Sequence, residues 1–296
     1  MTRILVTGVR GQVAQSLIER AWGHTDIELI AIGRPEFDLA ESSTVSHAIT
    51  SAAPDLIVSA AAYTAVDQAE TDEAAAFAVN GVGPGELARA ARLLNVPIVH
   101  LSTDYVFDGT SISAYVETDA VAPLGVYGRS KLEGEKRISE QTDNYAILRT
   151  AWVYSPFGKN FLRTMMRLAE TRDELGVVVD QIGNPTSALD IADSILSVAA
   201  NLLSSPDKTL RGTFHMTGSG DASWADFATE IFRLSARRNG PSALVRPIPT
   251  SHYPTPAKRP ANSRLNCGLL ARSHGVVLPD WHTSTEIVIE RLLGSP

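Results

Sequence analysis

Cysteine is nearly missing from this chain: Cys267 is the only one among 296 residues. No disulfide can close within the sequence, and a reducing compartment is the natural setting. Cys267 itself reads as a small packed residue more readily than as a nucleophile. Long apolar runs are lacking too. No stretch approaches the roughly 20 residues of a membrane-spanning helix, and the apolar run after Met1 is too short for a secretory leader. No membrane partner and a cytoplasmic location are therefore expected. There is no basic run, and the net charge is −7. That excludes general nucleic-acid binding, although local arginines and helix N-termini can still hold a phosphate on an acidic protein. Internal repeats and low-complexity tails are absent as well.

The rest of the composition is that of a globular protein, with 44% hydrophobic and 20% charged residues. Short apolar runs at residues 4–7, 28–32, 56–60, 98–102, 146–149, 177–179 and 213–216 predict strands. The early ones are continuously apolar, as in parallel strands covered on both faces. Helical patterns lie between and after them, at 13–22, 44–51, 72–94, 126–141, 161–171, 188–203 and 225–238. The alternation predicts an α/β fold, a Rossmann-type doubly wound parallel sheet with a smaller C-terminal substrate-binding part. Residues 1–150, with about 186–216 returning, would form the dinucleotide-binding domain; 151–185 and 217–296 would bind substrate. The proline-rich stretch 241–260 reads as extended loop.

Tyr127 and Lys131 stand four residues apart at the start of the 126–141 helix, so both side chains share a helical face. An ammonium beside a phenol favours the phenolate and makes the tyrosine a stronger acid. The pair is a candidate proton donor to a carbonyl under reduction. The plainer reading is an accidental spacing on a solvated helix, and the pair's context decides between them.

The first strand runs into Gly8, Val9, Arg10, Gly11, Gln12, Val13 and Ala14. A strand, a glycine turn and a helix make a dinucleotide site: glycines admit the pyrophosphate to the backbone, and the helix N-terminus supplies amide donors. Gly8 and Gly11 fill two of these roles, and Ala14 suffices for close helix–strand packing. Strand two ends in Gly33 and Arg34, with no carboxylate for ribose hydroxyls. Arg10 and Arg34 instead suit a 2′-phosphate, which favours NADPH, with NADH as the alternative cofactor. Far along the chain, Arg259 and Arg264 are candidates to hold a diphosphate through paired hydrogen bonds, or are simply solvated.

Several further stretches carry a resemblance. They are Ala60-Ala-Ala-Tyr-Thr-Ala-Val-Asp67, Leu101-Ser-Thr-Asp-Tyr-Val-Phe-Asp-Gly109, Leu148-Arg-Thr-Ala-Trp-Val-Tyr154, Asp180-Gln-Ile-Gly-Asn-Pro-Thr186 and the late segment Pro254–Leu265. With the first loop and the Tyr127–Lys131 pair, the chain resembles the extended short-chain dehydrogenase/reductase superfamily, and within it is similar to the dTDP-4-dehydrorhamnose reductases from end to end. The resemblance implies NADPH-dependent reduction of the C4 keto group of a nucleotide sugar, dTDP-4-dehydro-L-rhamnose. It implies Tyr127 as proton donor, Lys131 on the nicotinamide ribose and Thr103 at the reacting oxygen. Asp104 and Trp152 would contact the sugar. Gly11, Gln12, Val13, Asp38, Leu39, Ala62, Tyr63 and Thr64 would line the dinucleotide. Each has a bland counterpart: Thr103 as an ordinary strand end, Asp104 as a turn cap, Trp152 as core. Some family members bind magnesium through carboxylates at a dimer contact. Ser16 and Leu189 stand where two of those acids would align, which speaks against magnesium here, and a monomer or weak homodimer is expected. Asp190 and Asp193, close by, read as a helix cap and a solvated face.

Two other functions fit the same fold. A sugar-nucleotide epimerase or dehydratase would recycle a tightly held nicotinamide. A non-catalytic regulatory subunit would bind the dinucleotide and control a partner enzyme; the intact Tyr127, Lys131 and Thr103 set argues against that.

Overall fold

A computed structural model describes residues 1–294. Its strands are β1 (Thr2–Thr7), β2 (Ile27–Ile32), β3 (Leu56–Ser59), β4 (Ile98–Thr103), β5 (Tyr145–Thr150), β6 (Val153–Tyr154), β7 (Glu174–Val178), β8 (Ile182–Gly183), β9 (Thr186–Ser187), β10 (Gly212–His215), β11 (Ala222–Ser223) and β12 (Leu244–Ile248). The helices are α1 (Gln12–Ala21), α2 (Ser42–Ala52), α3 (Val66–Ala69), α4 (Glu73–Phe77), α5 (Gly83–Leu94), α6 (Val126–Gln141), α7 (Phe161–Ala169), α8 (Ala188–Ser204), α9 (Trp224–Arg237), α10 (Gly268–His274) and α11 (Trp281–Leu293).

Six strands form one sheet in the order β10-β5-β4-β3-β1-β2, parallel at every pairing. The alternation of side chains along each strand explains the continuous apolar runs. Ile4 and Val6 face one way, onto α1 and α8. Leu5 faces the other, onto α2 and α5. Both faces are covered, so these strands are apolar through their middles, and the polar side chains they carry, such as Thr7, Ser59, His100 and Arg149, are buried. The chain leaves β1 for β2 on one side and returns to β3 on the other. This reversal opens a crevice at the carboxyl ends of β1 and β3, where such folds take ligands.

A second core joins α7, α9 and α11 around Tyr154, Phe227 and Trp281. α9 starts from a reciprocal cap, in which the Ser223 hydroxyl accepts from the Asp226 amide and the Asp226 carboxylate accepts from the Ser223 amide. β10 lies on the edge of the main sheet, although it follows the first elements of this second unit in the chain.

Two local expectations change. The 72–94 helix is not uniform: α4 and α5 are joined by a π-helical turn over Ala78–Val82. The stretch 241–260 is not all loop, because β12 pairs in parallel with β7. Pro247 is tolerated there because the two-stranded ribbon leaves each strand an open edge. Among the described residues, no helix is long and apolar enough to cross a membrane.

Candidate active site

β1 ends beside β3 because the Thr7 hydroxyl accepts from the amides of Ala60 and Ala61, 3.0 Å each. Gly8 then turns with φ +94°, its Cα facing Ala61 so closely that a side chain there would touch Ala61 Cβ at 3.4 Å. Only glycine takes that backbone without strain. The chain enters α1 through Gly11, which has no side chain to cap the first amides. Uncapped amides at a helix N-terminus are a ready anion site.

The residues expected to line a dinucleotide fall into distinct classes. Arg10 and Arg34 are exposed at the mouths of the first two loops, as a 2′-phosphate would require. Gln12 is present, but its side chain is committed: Oε1 accepts from Ser155 Oγ and Asn160 Nδ2, both at 2.9 Å. Only its backbone is free to meet a phosphate, and its amide group ties α1 to the second unit. Val13 and Leu39 are core residues. Asp38 caps its own turn, its Oδ1 accepting from the Ala40 amide at 3.0 Å. Ala62 and Tyr63 line the loop after β3, and Thr64 is exposed there.

Asn80 is a residue that the sequence reading missed. It is fully buried in the π-helical turn. Its Oδ1 accepts from the Tyr63 amide, and its Nδ2 donates to the Tyr63 carbonyl and to Ser130 Oγ. It thereby locks the loop after β3 to α6, the helix that carries Tyr127 and Lys131. A π-turn inserted in a long helix is a common mark of a functional site; an irregularity of one residue leaves no trace in apolar periodicity.

Lys131 is buried, as a lysine seldom is without a partner. Its Nζ donates to the Leu101 carbonyl at 2.7 Å and lies 3.3 Å from His100 Nε2. The other ring nitrogen of His100 meets Ser59 Oγ at 2.9 Å. Burial brings the Lys131 pKa down to about 8, against the pull of Glu135. Burial, then the Lys131 charge, hold His100 well below its usual range. His100 is therefore neutral and can accept from the ammonium.

Tyr127 stands edge-on to Tyr105, ring centroids 5.7 Å apart. A narrow cleft flanked by Val66, Tyr105, Tyr127, Ala257 and Lys258 opens beside it. The expected acidifying effect of Lys131 on the phenol is not what governs it here. Burial pushes the Tyr127 pKa up to about 12; the Thr103 hydroxyl favours the phenolate, and Asp104 opposes it. The Lys131 charge is instead spent on the Leu101 carbonyl and His100.

Thr103 ends β4, and its hydroxyl donates to Asp104 Oδ1 at 2.9 Å. Asp104 is buried, and its Oδ2 has no hydrogen-bond partner. Burial lifts its carboxyl to about 7, against the stabilising hydroxyls of Thr103 and Ser263. Arg259 donates to Asp67 Oδ2 at 2.9 Å through Nη2, while its Nη1 is buried without a partner. Arg264 is held by Asn262 and the Ile112 carbonyl. Trp152 lies just beyond β5 with φ +48°. The structure thus gathers Tyr127, Thr103 and Asp104 into one array, while Lys131, one turn along α6, sends its ammonium to the Leu101 carbonyl and His100.

Ser16 and Leu189 are both buried. Asp190 accepts from Ser284 Oγ at 2.5 Å, and Asp193 pairs with Arg20 at 3.2 Å. Among the described residues, no group of three or more His, Cys, Asp or Glu could hold a metal ion.

The sequence model of the RmlD substrate binding domain matches residues 1–293. A dTDP-4-dehydrorhamnose reductase of Sinorhizobium fredii is 52% identical over 98% of each chain. The crystal structure of a dTDP-4-dehydrorhamnose reductase from Clostridium acetobutylicum superimposes with a TM-score of 0.91 at 37% identity, covering 98% of this chain and 99% of that one. One from Bacillus anthracis, solved in complex with NADP, gives 0.90 at 33% identity, over 98% of this chain and all of that one.

Proposed function

This chain belongs to the RmlD substrate binding domain family, and on that premise we propose that it is a dTDP-4-dehydrorhamnose reductase using NADPH. It reduces the C4 keto group of dTDP-4-dehydro-L-rhamnose to the alcohol of dTDP-L-rhamnose. The turn at Gly8, the uncapped α1 N-terminus and the exposed Arg10 and Arg34 fit a phosphorylated dinucleotide. When bound, the nicotinamide supplies the hydride that adds to C4.

The observation that carries the reading of the chemistry is the convergence of Tyr127, Thr103 and Asp104 at the carboxyl end of β4. Hydride addition leaves two electrons of the C4 carbonyl bond on its oxygen, and that oxygen takes the proton of the Tyr127 hydroxyl. A phenol held at about 12 keeps its proton until an alkoxide forms beside it. The Thr103 hydroxyl, turning its one proton from Asp104 Oδ1, offers a hydrogen bond to the developing charge. Lys131, fixed by Leu101 and His100 one turn along α6 from the phenol, is the cation assigned to the nicotinamide ribose. Asp104 and Trp152 meet the sugar, and Arg259 offers its unpartnered Nη1 to the diphosphate. Residues 1–150 with about 186–216 hold the dinucleotide; 151–185 and 217–296 hold the nucleotide sugar. The single cysteine supports a cytoplasmic setting, and a monomer or weak homodimer is the working state.

The test is NADPH oxidation with dTDP-4-dehydro-L-rhamnose, with Tyr127→Phe alongside. Wild type consumes NADPH and yields dTDP-L-rhamnose; the variant loses most turnover and keeps its NADPH affinity. Parallel loss of binding and turnover would count against Tyr127 as the acid. Cofactor that survives dialysis, with no net oxidation, would point to an epimerase instead.

A further inference from the structure

Trp152 is held in an unusual way. Among the described residues, four non-glycine residues have positive φ: Ala53, Asn95, Trp152 and Asn239. Ala53 and Asn95 are helix C-caps, and Asn239 follows the end of α9, places where the left-handed conformation satisfies helix carbonyls. Trp152 ends no helix. A bulky side chain in that conformation persists only where its surroundings over-determine it, and such strain gathers at functional sites.

The surroundings are explicit. The Trp152 indole lies flat on Trp224, centroids 3.5 Å apart and planes 6° from parallel. A full face-to-face sandwich is not the arrangement two free rings prefer, so it is imposed from outside. At its edge is Gly183, where a Cβ would come within 2.5 Å of Trp152 Cε2 and 2.7 Å of Ser263 Oγ. Trp224 is itself fixed. It is the first residue of α9, directly after the Ser223 cap. Its Nε1 donates to Gln181 Oε1 at 3.2 Å, Gln181 donates on to Thr250 Oγ1 at 3.0 Å, and Phe161 flanks its ring at 4.6 Å. The shelf reaches the reacting groups, because Ser263, the neighbour of Gly183, also faces the Asp104 carboxyl.

We propose that Trp224 is a positioning residue for the nucleotide sugar: with Gly183 it clamps the strained Trp152 indole and so sets the surface against which the sugar lies beside Asp104 and Thr103. This rests on the reading of Trp152 as a sugar contact. Trp224 touches the substrate only through Trp152, so it acts on how the sugar is received and leaves the NADPH site alone.

Steady-state kinetics of Trp224→Phe, Trp224→Leu and Trp152→Leu separate the possibilities, with NADPH affinity measured for each. Trp224→Leu fills the space without a ring to stack; Trp224→Phe restores a ring. The expected result for Trp224→Leu is a KM for the sugar raised about tenfold or more, with kcat and NADPH affinity within about threefold of wild type. Trp224→Phe recovers most of the loss. A folded Trp224→Leu with wild-type KM, while Trp152→Leu is impaired, overturns the inference alone. An unchanged KM in Trp152→Leu overturns the sugar-contact reading beneath it. Should Trp224→Leu not fold, Gly183→Ala takes its place, since its methyl displaces the Trp152 ring without removing any side chain; a wild-type KM there is likewise a refutation.

Discussion

Asp104 shows what burial does to a single side chain. Its carboxyl sits at about 7, raised chiefly by loss of solvent, while an unfolded aspartate titrates near 4. Between those values the folded state holds a proton that the unfolded chain has released. Stability from this group is therefore greatest at low pH, falls as pH rises through that window, and is fully lost above about 7. Asp104→Asn keeps an acceptor for the Thr103 hydroxyl and has no charge to bury. Relative to wild type it should gain stability from pH 5 to pH 8, by an amount on the order of a few kcal/mol. Urea denaturation at the two pH values measures this; a difference that does not change with pH would mean that burial does not perturb Asp104. The same geometry makes Asp104 a costly residue to keep for stability alone, as expected of a group retained for a ligand.

At the scale of elements, α6 carries Tyr127, the proposed proton donor, and Lys131, and it is fastened to the sheet by charge. Glu135 on α6 and Arg149 on β5 form a buried two-pronged ion pair, with bonds of 2.9 and 2.7 Å. Ser102 adds a third bond to the carboxylate, and the guanidinium lies 5.2 Å from the centre of the Phe107 ring. Removing one partner strands a charge in the interior, which typically costs about 3–5 kcal/mol, whereas replacing both by apolar groups costs much less. Arg149→Leu should therefore destabilise by that order, and Glu135→Leu combined with Arg149→Leu should restore much of it. Thermal unfolding of the single and double variants decides; additive losses would show that the pair is not coupled. The one-turn offset between Glu135 and Lys131 on α6 means that this anchor also sets the depth of Lys131.

Over the whole molecule, pH acts through buried histidines. His100 and His215 are both enclosed and both depressed, His215 to about 3 by burial and by the nearby Arg149 charge. An unfolded histidine takes up a proton near 6.5. Their stabilising contribution is complete above that value and is lost as pH falls below it, by roughly 1.4 kcal/mol per unit for each ring. This runs opposite to Asp104; partly buried groups add to both sides, His274 to the histidines and Asp190 and Asp193 to the carboxyls, but among the most enclosed groups two rings stand against one carboxyl, and the rings prevail. The melting temperature should therefore drop between pH 7 and pH 5. His215→Gln should flatten that drop even if it lowers stability at neutral pH. An identical slope in wild type and variant would exclude His215 as a source of the acid sensitivity.

Much of this protein is written in short windows of its sequence. Apolar runs such as Leu56–Ser59 can only be strands covered on both faces, and α6 spans Val126–Gln141 as its pattern predicts. The glycine turn after β1 and the Tyr127–Lys131 spacing are local facts, because helix and strand periods and the backbone freedom of glycine operate over a few residues. Other features needed the folded chain. β12 finds β7 across some 70 residues. Gln12 spends its side chain on Ser155 and Asn160, Lys131 settles against His100, and Trp152 meets Trp224. Each depends on which surfaces come together, and so on packing and desolvation among residues far apart in the chain. Desolvation also decided the charges: spacing alone predicted a phenol made more acidic by Lys131, but the Lys131 ammonium turns to the Leu101 carbonyl and His100, and burial leaves Tyr127 holding its proton.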